Sequence, residues 1–235
     1  MCSVWANVGA WIKACFLVDE HANALGLDHP IFSQSLRLIE AALPADSLQG
    51  LSGPERDVVL RLIHSSGDLS LASAVVFSAQ ACEKGLQALS GQAPILTDTA
   101  MAAAAVAPMA RRTFGNLVQS VLDWAPASAP EGTTRAALGM RRALFEHPGA
   151  VVLVGSAPTA LEVVLELTCS AAIPHPALVI GMPVGFVGVE ESKRHLAKSA
   201  LAQIRLDGSR GGAGLVGAVA NALLRRAWLD RSIDP

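Results

Sequence analysis

With 235 residues, 51% of them apolar and 16% charged, the chain can build one folded α/β body and is far too hydrophobic to be disordered. A net charge of −2, aromatic residues at 4% and no tyrosine argue against a nucleic-acid surface built on a basic field or on base stacking. Four singly placed cysteines, Cys2, Cys15, Cys82 and Cys169, form no Cys-x-x-Cys or His/Cys cluster; that arrangement points to no metal site and suits a reducing compartment.

Residues 1–28 form an N-terminal extension, and 29–235 read as a single domain. In the extension Trp5, Val8, Ile12 and Phe16 fall at helical spacing. Two readings stay open: an amphipathic helix that docks on the body or on a partner subunit, or a poorly ordered leader. Lys13 interrupts its apolar part and Asp19-Glu20 follow, unlike a secretory signal. Elsewhere Pro108, Glu162 or Glu166 cut the apolar stretches short of the roughly 20 residues a membrane span needs. The expectation is a cytoplasmic protein with no membrane and no nucleic-acid partner.

Pro30 opens a helix running to Leu43 and stopped by Pro44, with Ile31, Phe32, Leu36, Ile39 and Leu43 on its apolar face. Ser35 lies inside that face, where a serine usually bonds back to its own helix carbonyl. Ser52-Gly-Pro-Glu55 has capping-box spacing and starts a second helix through His64. Val58, Val59, Leu62 and Ile63 share one side of it, while Asp57, Arg61 and His64 share the other. Arg61 and His64 are one turn apart and can act on one ligand, or they belong to a solvated polar face. Gly67-Asp68 breaks the helix.

A helix over Gln80–Leu89 follows, then a brief strand at Pro94–Thr97 and a helix started by Asp98-Thr99. Asn116–Leu122 reads as another strand, Pro126–Gly132 as a loop and Thr133–Glu146 as a helix. Val151–Val154 and Ala177–Ile180 are uninterrupted apolar runs, each running into a glycine, and a helix-length segment separates them. Such runs suit parallel strands buried on both faces. Helix Glu190–Lys198, a strand near Ala202–Leu206, the turn Gly208–Gly212 and a long helix through Trp228 complete the chain. The pattern predicts a three-layer α/β/α fold with a mainly parallel five-stranded sheet and a helical N-terminal region.

In an open parallel sheet, ligands settle beyond the carboxyl ends of the strands. The chain has no Gly-x-x-x-x-Gly-Lys phosphate loop and no Gly-x-Ser-x-Gly elbow, and its glycine turn follows the last strand rather than the first, a poor match to a dinucleotide fingerprint. That turn could hold an anion by its amides. Arginines outnumber lysines 14 to 4, and their planar forks suit carboxylates. Residues alone therefore indicate acid/base work on an anionic ligand without naming it.

The ordered blocks Arg61-Leu-Ile-His64-Ser-Ser-Gly67, Pro94-Ile-Leu-Thr-Asp98-Thr-Ala-Met101, Gly132-Thr-Thr-Arg135, Gly155-Ser-Ala-Pro-Thr-Ala-Leu161, Ile180-Gly-Met-Pro-Val-Gly-Phe-Val-Gly188 with Glu191-Ser-Lys193, and Arg210-Gly-Gly212 resemble the precorrin-8X methylmutase family of cobalamin biosynthesis. The resemblance implies a homodimer of α/β/α subunits that needs no external cofactor. It implies an isomerase moving a methyl group from ring carbon eleven to ring carbon twelve of precorrin-8X or cobalt-precorrin-8, giving hydrogenobyrinate or its cobalt counterpart. On this resemblance His64 is the catalytic histidine, and Ser35, Arg61, Arg135 and Ser156 contact substrate. Ser156 stands where the family usually has asparagine, Asp207 and Ser209 replace an Arg-Gly-Arg pattern, and Ala213 replaces a common serine. Two other classes stay open: a non-catalytic corrinoid carrier of the same fold, told apart by binding without turnover, and an unrelated Rossmann-type oxidoreductase, told apart by nicotinamide-dependent absorbance.

Overall fold

The computed structural model describes residues 27–231 of a chain that divides into two compact units, parted between Gln49 and Gly50. The helix expected on Trp5–Phe16 lies outside the described residues. In the first unit, helix α1 (Pro30–Ala42) starts where the His29 ring nitrogen Nδ1 accepts the Ile31 N–H at 3.2 Å. Extended backbone at Leu43, ahead of Pro44, ends it. Ser35 is half-buried on this helix.

The second unit opens with α2 (Gly53–Ser66), and the expected capping box is present. Ser52 N–H donates to Glu55 Oε2 at 2.8 Å, and Glu55 N–H donates to Ser52 Oγ at 3.4 Å. The two bonds satisfy amides that no helical carbonyl can reach, and Glu55 suits the positive end of the helix dipole. Gly67, with φ at 71°, closes the helix in the left-handed conformation that favours glycine.

The sheet has six strands, one more than expected. They are β1 (Val75–Phe77), β2 (Ile95–Thr97), β3 (Val118–Ser120), β4 (Val151–Val154), β5 (Leu178–Gly181) and β6 (Gln203–Leu206), in the order β1-β6-β5-β4-β2-β3. All neighbours are parallel except β1 and β6, where Val75 lies opposite Leu206 and Phe77 opposite Ile204. β1 is a three-residue, half-buried edge strand with too little sequence to show a period. β3 is shorter than expected because Val121–Trp124 turns into a 3-10 helix.

The remaining helices are α3 (Ala81–Ser90), α4 (Ala100–Arg112), α5 (Arg135–Glu146), α6 (Pro158–Cys169), α7 (Val189–Lys198) and α8 (Ala213–Arg231). On one face of the sheet α8 packs on α2, α3 and α4; on the other α5, α6 and α7 lie in sequence. β4 and β5 are buried along their whole length. Val152, Val154 and Val179 point into a cluster with Met140, Leu144, Leu161, Val164 and Leu196. Each such side chain removed from water contributes about 1.5–3 kcal/mol. Helices on both faces confirm the three-layer α/β/α architecture.

Candidate active site at the carboxyl edge of the sheet

After β2 the chain moves outward to β3; after β4 it moves the other way to β5. The carboxyl ends of β2 and β4 therefore flank the switch point where open α/β sheets form their crevice. Asp98, one residue past β2, spans it. Its Oδ2 accepts the backbone N–H of Ser156 at 2.6 Å and of Ala157 at 2.7 Å, just past β4. The bonds matter because α6 has Ala157 as its N-cap, which offers no side-chain acceptor. Burial pushes the Asp98 carboxyl above the usual range, against the opposing pull of these amides.

The next two loops close over the same edge. Gly212 N–H donates to Met182 O at 2.9 Å, Gly185 N–H to Ser209 O at 3.1 Å, and Val184 N–H to Gly155 O at 3.2 Å. Gly155 and Gly211 are required by this packing. A Cβ on Gly211 would lie 1.9 Å from Met182 O, and one on Gly155 would lie 2.8 Å from Ala213 N. Past this layer Phe186 and Val187 project into solvent, 93% and 89% exposed.

The end of α2 reaches the same edge. Arg210, after β6, donates from Nη1 to Asp68 Oδ2 at 2.9 Å and to Ser70 Oγ at 2.7 Å, just beyond the helix. The antiparallel β1 continues this placement by starting beside the last residue of β6. On α2, the apolar side is buried as expected, Arg61 is half-buried and His64 is exposed. Asp57, expected on their face, instead pairs with Arg226 of α8 at 3.4 Å. Partial desolvation against the protein surface, then the charge of Arg61, lower the His64 pKa, which favours the neutral imidazole.

Arg135 and Ser156 meet the edge from the other face. Thr134, the N-cap of α5, shares a hydrogen bond of 2.7 Å with Thr159 in the first turn of α6. The start of α5 thus sits beside the Gly155–Ser156 turn. The Arg135 side chain is exposed and donates from Nε to Pro126 O at 2.8 Å, which ties down the preceding loop. Ser35 belongs to the first unit. Among the described residues, no three His, Cys, Asp or Glu side chains gather as a metal site would require.

Three residues of this edge received no role from the sequence. Asp98 read only as a helix start; the missing side-chain cap at Ala157-Pro158 was the available signal that a distant acceptor was needed. Asp68 read only as a helix breaker. Lys193 stood in a motif, yet it is 1% exposed and donates to Gly208 O at 2.7 Å and Arg210 O at 2.6 Å. A separate cleft of about 590 Å³ between α6 and α7, lined in part by Glu162, Cys169, His175 and His195, opens at the amino edge of the strands. It contains none of these residues.

A family model described as precorrin-8X methylmutase matches residues 30–226. The chain is 38% identical over 202 residues to the precorrin-8X methylmutase of a Sinorhizobium species, covering 83% of this chain and 93% of that one. It is 33% identical over 218 residues to the cobalt-precorrin-8 methylmutase of Synechocystis sp., covering 87% and 98% respectively. The solved precorrin-8X methyl mutase of Thermus thermophilus aligns with a TM-score of 0.75 and 37% identity, over 87% of this chain and 98% of that one. The family model spans every motif block noted in the sequence and the relatives are matched along nearly their whole length, so the chain belongs to the precorrin-8X methylmutase family.

Proposed function

We propose that this protein is the isomerase that converts precorrin-8X, or cobalt-precorrin-8, by moving the methyl group on ring carbon eleven to ring carbon twelve. The carbon–methyl bond at carbon eleven breaks as the one at carbon twelve forms, within one molecule. No methyl donor or oxidant enters the balance. What the shift needs is a conjugated ring held in shape and a proton placed on it and later recovered, a task for a positioned imidazole.

The observation that carries this reading is the placement of Arg61 one turn before His64 on α2, near enough for its charge to act on the imidazole, with the segment just after that helix held at the carboxyl edge by the Arg210–Asp68 contact. The substrate bears acetate and propionate arms. An arm docked on Arg61 offsets the charge that disfavours the imidazolium, so substrate binding itself makes His64 a better proton carrier. Arg135 and Ser156, beside the switch point, are assigned to further arms. Ser35 takes a substrate-contacting role by the family pattern. The active form is a homodimer in the cytoplasm, with residues 29–235 as the catalytic domain; among the described residues no helix is long and apolar enough to cross a membrane.

The test is the ultraviolet–visible spectrum after mixing purified protein with precorrin-8X and, separately, with cobalt-precorrin-8. Conversion to the corrin chromophore supports the assignment, and the faster of the two identifies the natural substrate. Binding without conversion would instead make the protein a corrinoid carrier.

A further inference from the structure

We propose that Lys193 is a positioning residue for this reaction: it fixes the Gly208–Arg210 turn so that Arg210 presents its guanidinium to a carboxylate arm of the substrate. The inference rests on the functional reading above and adds a residue to it.

Lys193 is among the largest fully buried side chains of the protein, and both of its hydrogen bonds go to main-chain carbonyls, those of Gly208 and Arg210. Burial drives its ammonium down to about 8, and Asp207 and Glu190 offset that only in part. An apolar side chain of similar length would fill the space without this cost. The cation is therefore matched to what it holds. From the other side the turn is held by Gly185 N–H on Ser209 O and by Gly212 N–H on Met182 O. Clamped between α7 and the loop after β5, the turn fixes the backbone from which the Arg210 side chain departs, and the side chain leaves it in one defined direction.

That direction leads to Asp68 and Ser70, and both bonds use Nη1. The Nε and Nη2 edge is left to grip a carboxylate in bidentate fashion, on a side chain that is 44% exposed. Asp68 thus braces one nitrogen while Lys193 fixes the backbone behind it.

Two variants test the assignment, Lys193→Met and Lys193→Gln. Gly208 and Arg210 lie in an exposed turn, Lys193→Met keeps the length of the buried side chain and Lys193→Gln keeps a donor, so both variants are expected to fold. In Lys193→Met, KM for precorrin-8X should rise roughly tenfold, while the single-turnover rate changes by less than about threefold. In Lys193→Gln, which keeps a donor, KM should fall between that of Lys193→Met and wild type. In an Arg210→Ala background, Lys193→Met should change KM by less than about twofold, because the effect runs through Arg210. Additive effects, a loss confined to the single-turnover rate, or failure of both variants to fold would make Lys193 structural and overturn the assignment. Wild-type protein measured alongside separates the two claims. If it binds the tetrapyrrole without converting it, the catalytic reading fails and the dissociation constant replaces KM in the same comparison; if it neither binds nor converts, both fail.

Discussion

The carboxylate of Asp98 holds the backbone N–H of Ser156 at 2.6 Å across 58 positions of sequence, joining the end of β2 to the end of β4. One oxygen caps a helix that starts on Ala157 and Pro158 and at the same time closes the switch point. Removing it leaves two amides without this partner. Asp98→Ala should therefore lose about 1–3 kcal/mol of stability by urea denaturation. A loss below about 0.5 kcal/mol, the level of an ordinary surface change, would show that water replaces the carboxylate freely.

His64 is exposed at the end of α2, so its truncation leaves no core cavity. His64→Ala should keep stability within about 0.5 kcal/mol of wild type. It should bind the corrin product within roughly tenfold and lose at least about 100-fold in single-turnover rate. Near-normal turnover would mean that holding the ring in shape is sufficient.

The His64 imidazole titrates below the ordinary 6.5 because partial desolvation against the protein surface and then Arg61 disfavour its charged form. Arg61→Met removes the second cause, so the midpoint followed by NMR should move upward. The folded protein holds this proton less firmly than the unfolded chain. This histidine therefore lowers stability as pH falls from 6.5 through its folded midpoint, and Arg61→Met should shrink that loss. A midpoint that stays put in the variant would remove Arg61 from the electrostatics of the histidine.

Affinity for the product should fall with added salt and in Arg61→Ala, since each desolvated arginine–carboxylate hydrogen bond contributes about 1.5–3 kcal/mol. Titration calorimetry at two ionic strengths reads both effects. Salt-independent binding would put the contact elsewhere on the tetrapyrrole.

Light scattering at micromolar concentration should give twice the mass of the 24.3 kDa chain. A monomer would remove the homodimer from the proposal.

What could be read in advance was what local sequence controls. β4 and β5 were visible because strands covered on both faces carry unbroken apolar runs, and the start of α2 because a capping box needs only four residues. β1 was invisible: three residues define no period, and it forms by pairing with β6, far along the chain. That Arg61 lies one turn from His64, near enough for its charge to act on the imidazole, followed from helical phase. The Arg210–Asp68 contact joins positions 142 apart, and no periodicity reports on such a distance. Lys193 sits in a charged helix, Val189–Lys198, where a lysine normally faces water; only the turn that folds over it shows otherwise.

The backbone contacts among the loops after β4, β5 and β6 limit how this crevice can be redesigned. Gly155 abuts Ala213, Gly211 abuts Met182, and neither contact has room for a side chain. Loop exchange between relatives with different substrate preferences would then have to move all three segments as one cassette. A single-loop graft, however conservative in composition, would meet main-chain atoms shaped for a different neighbour.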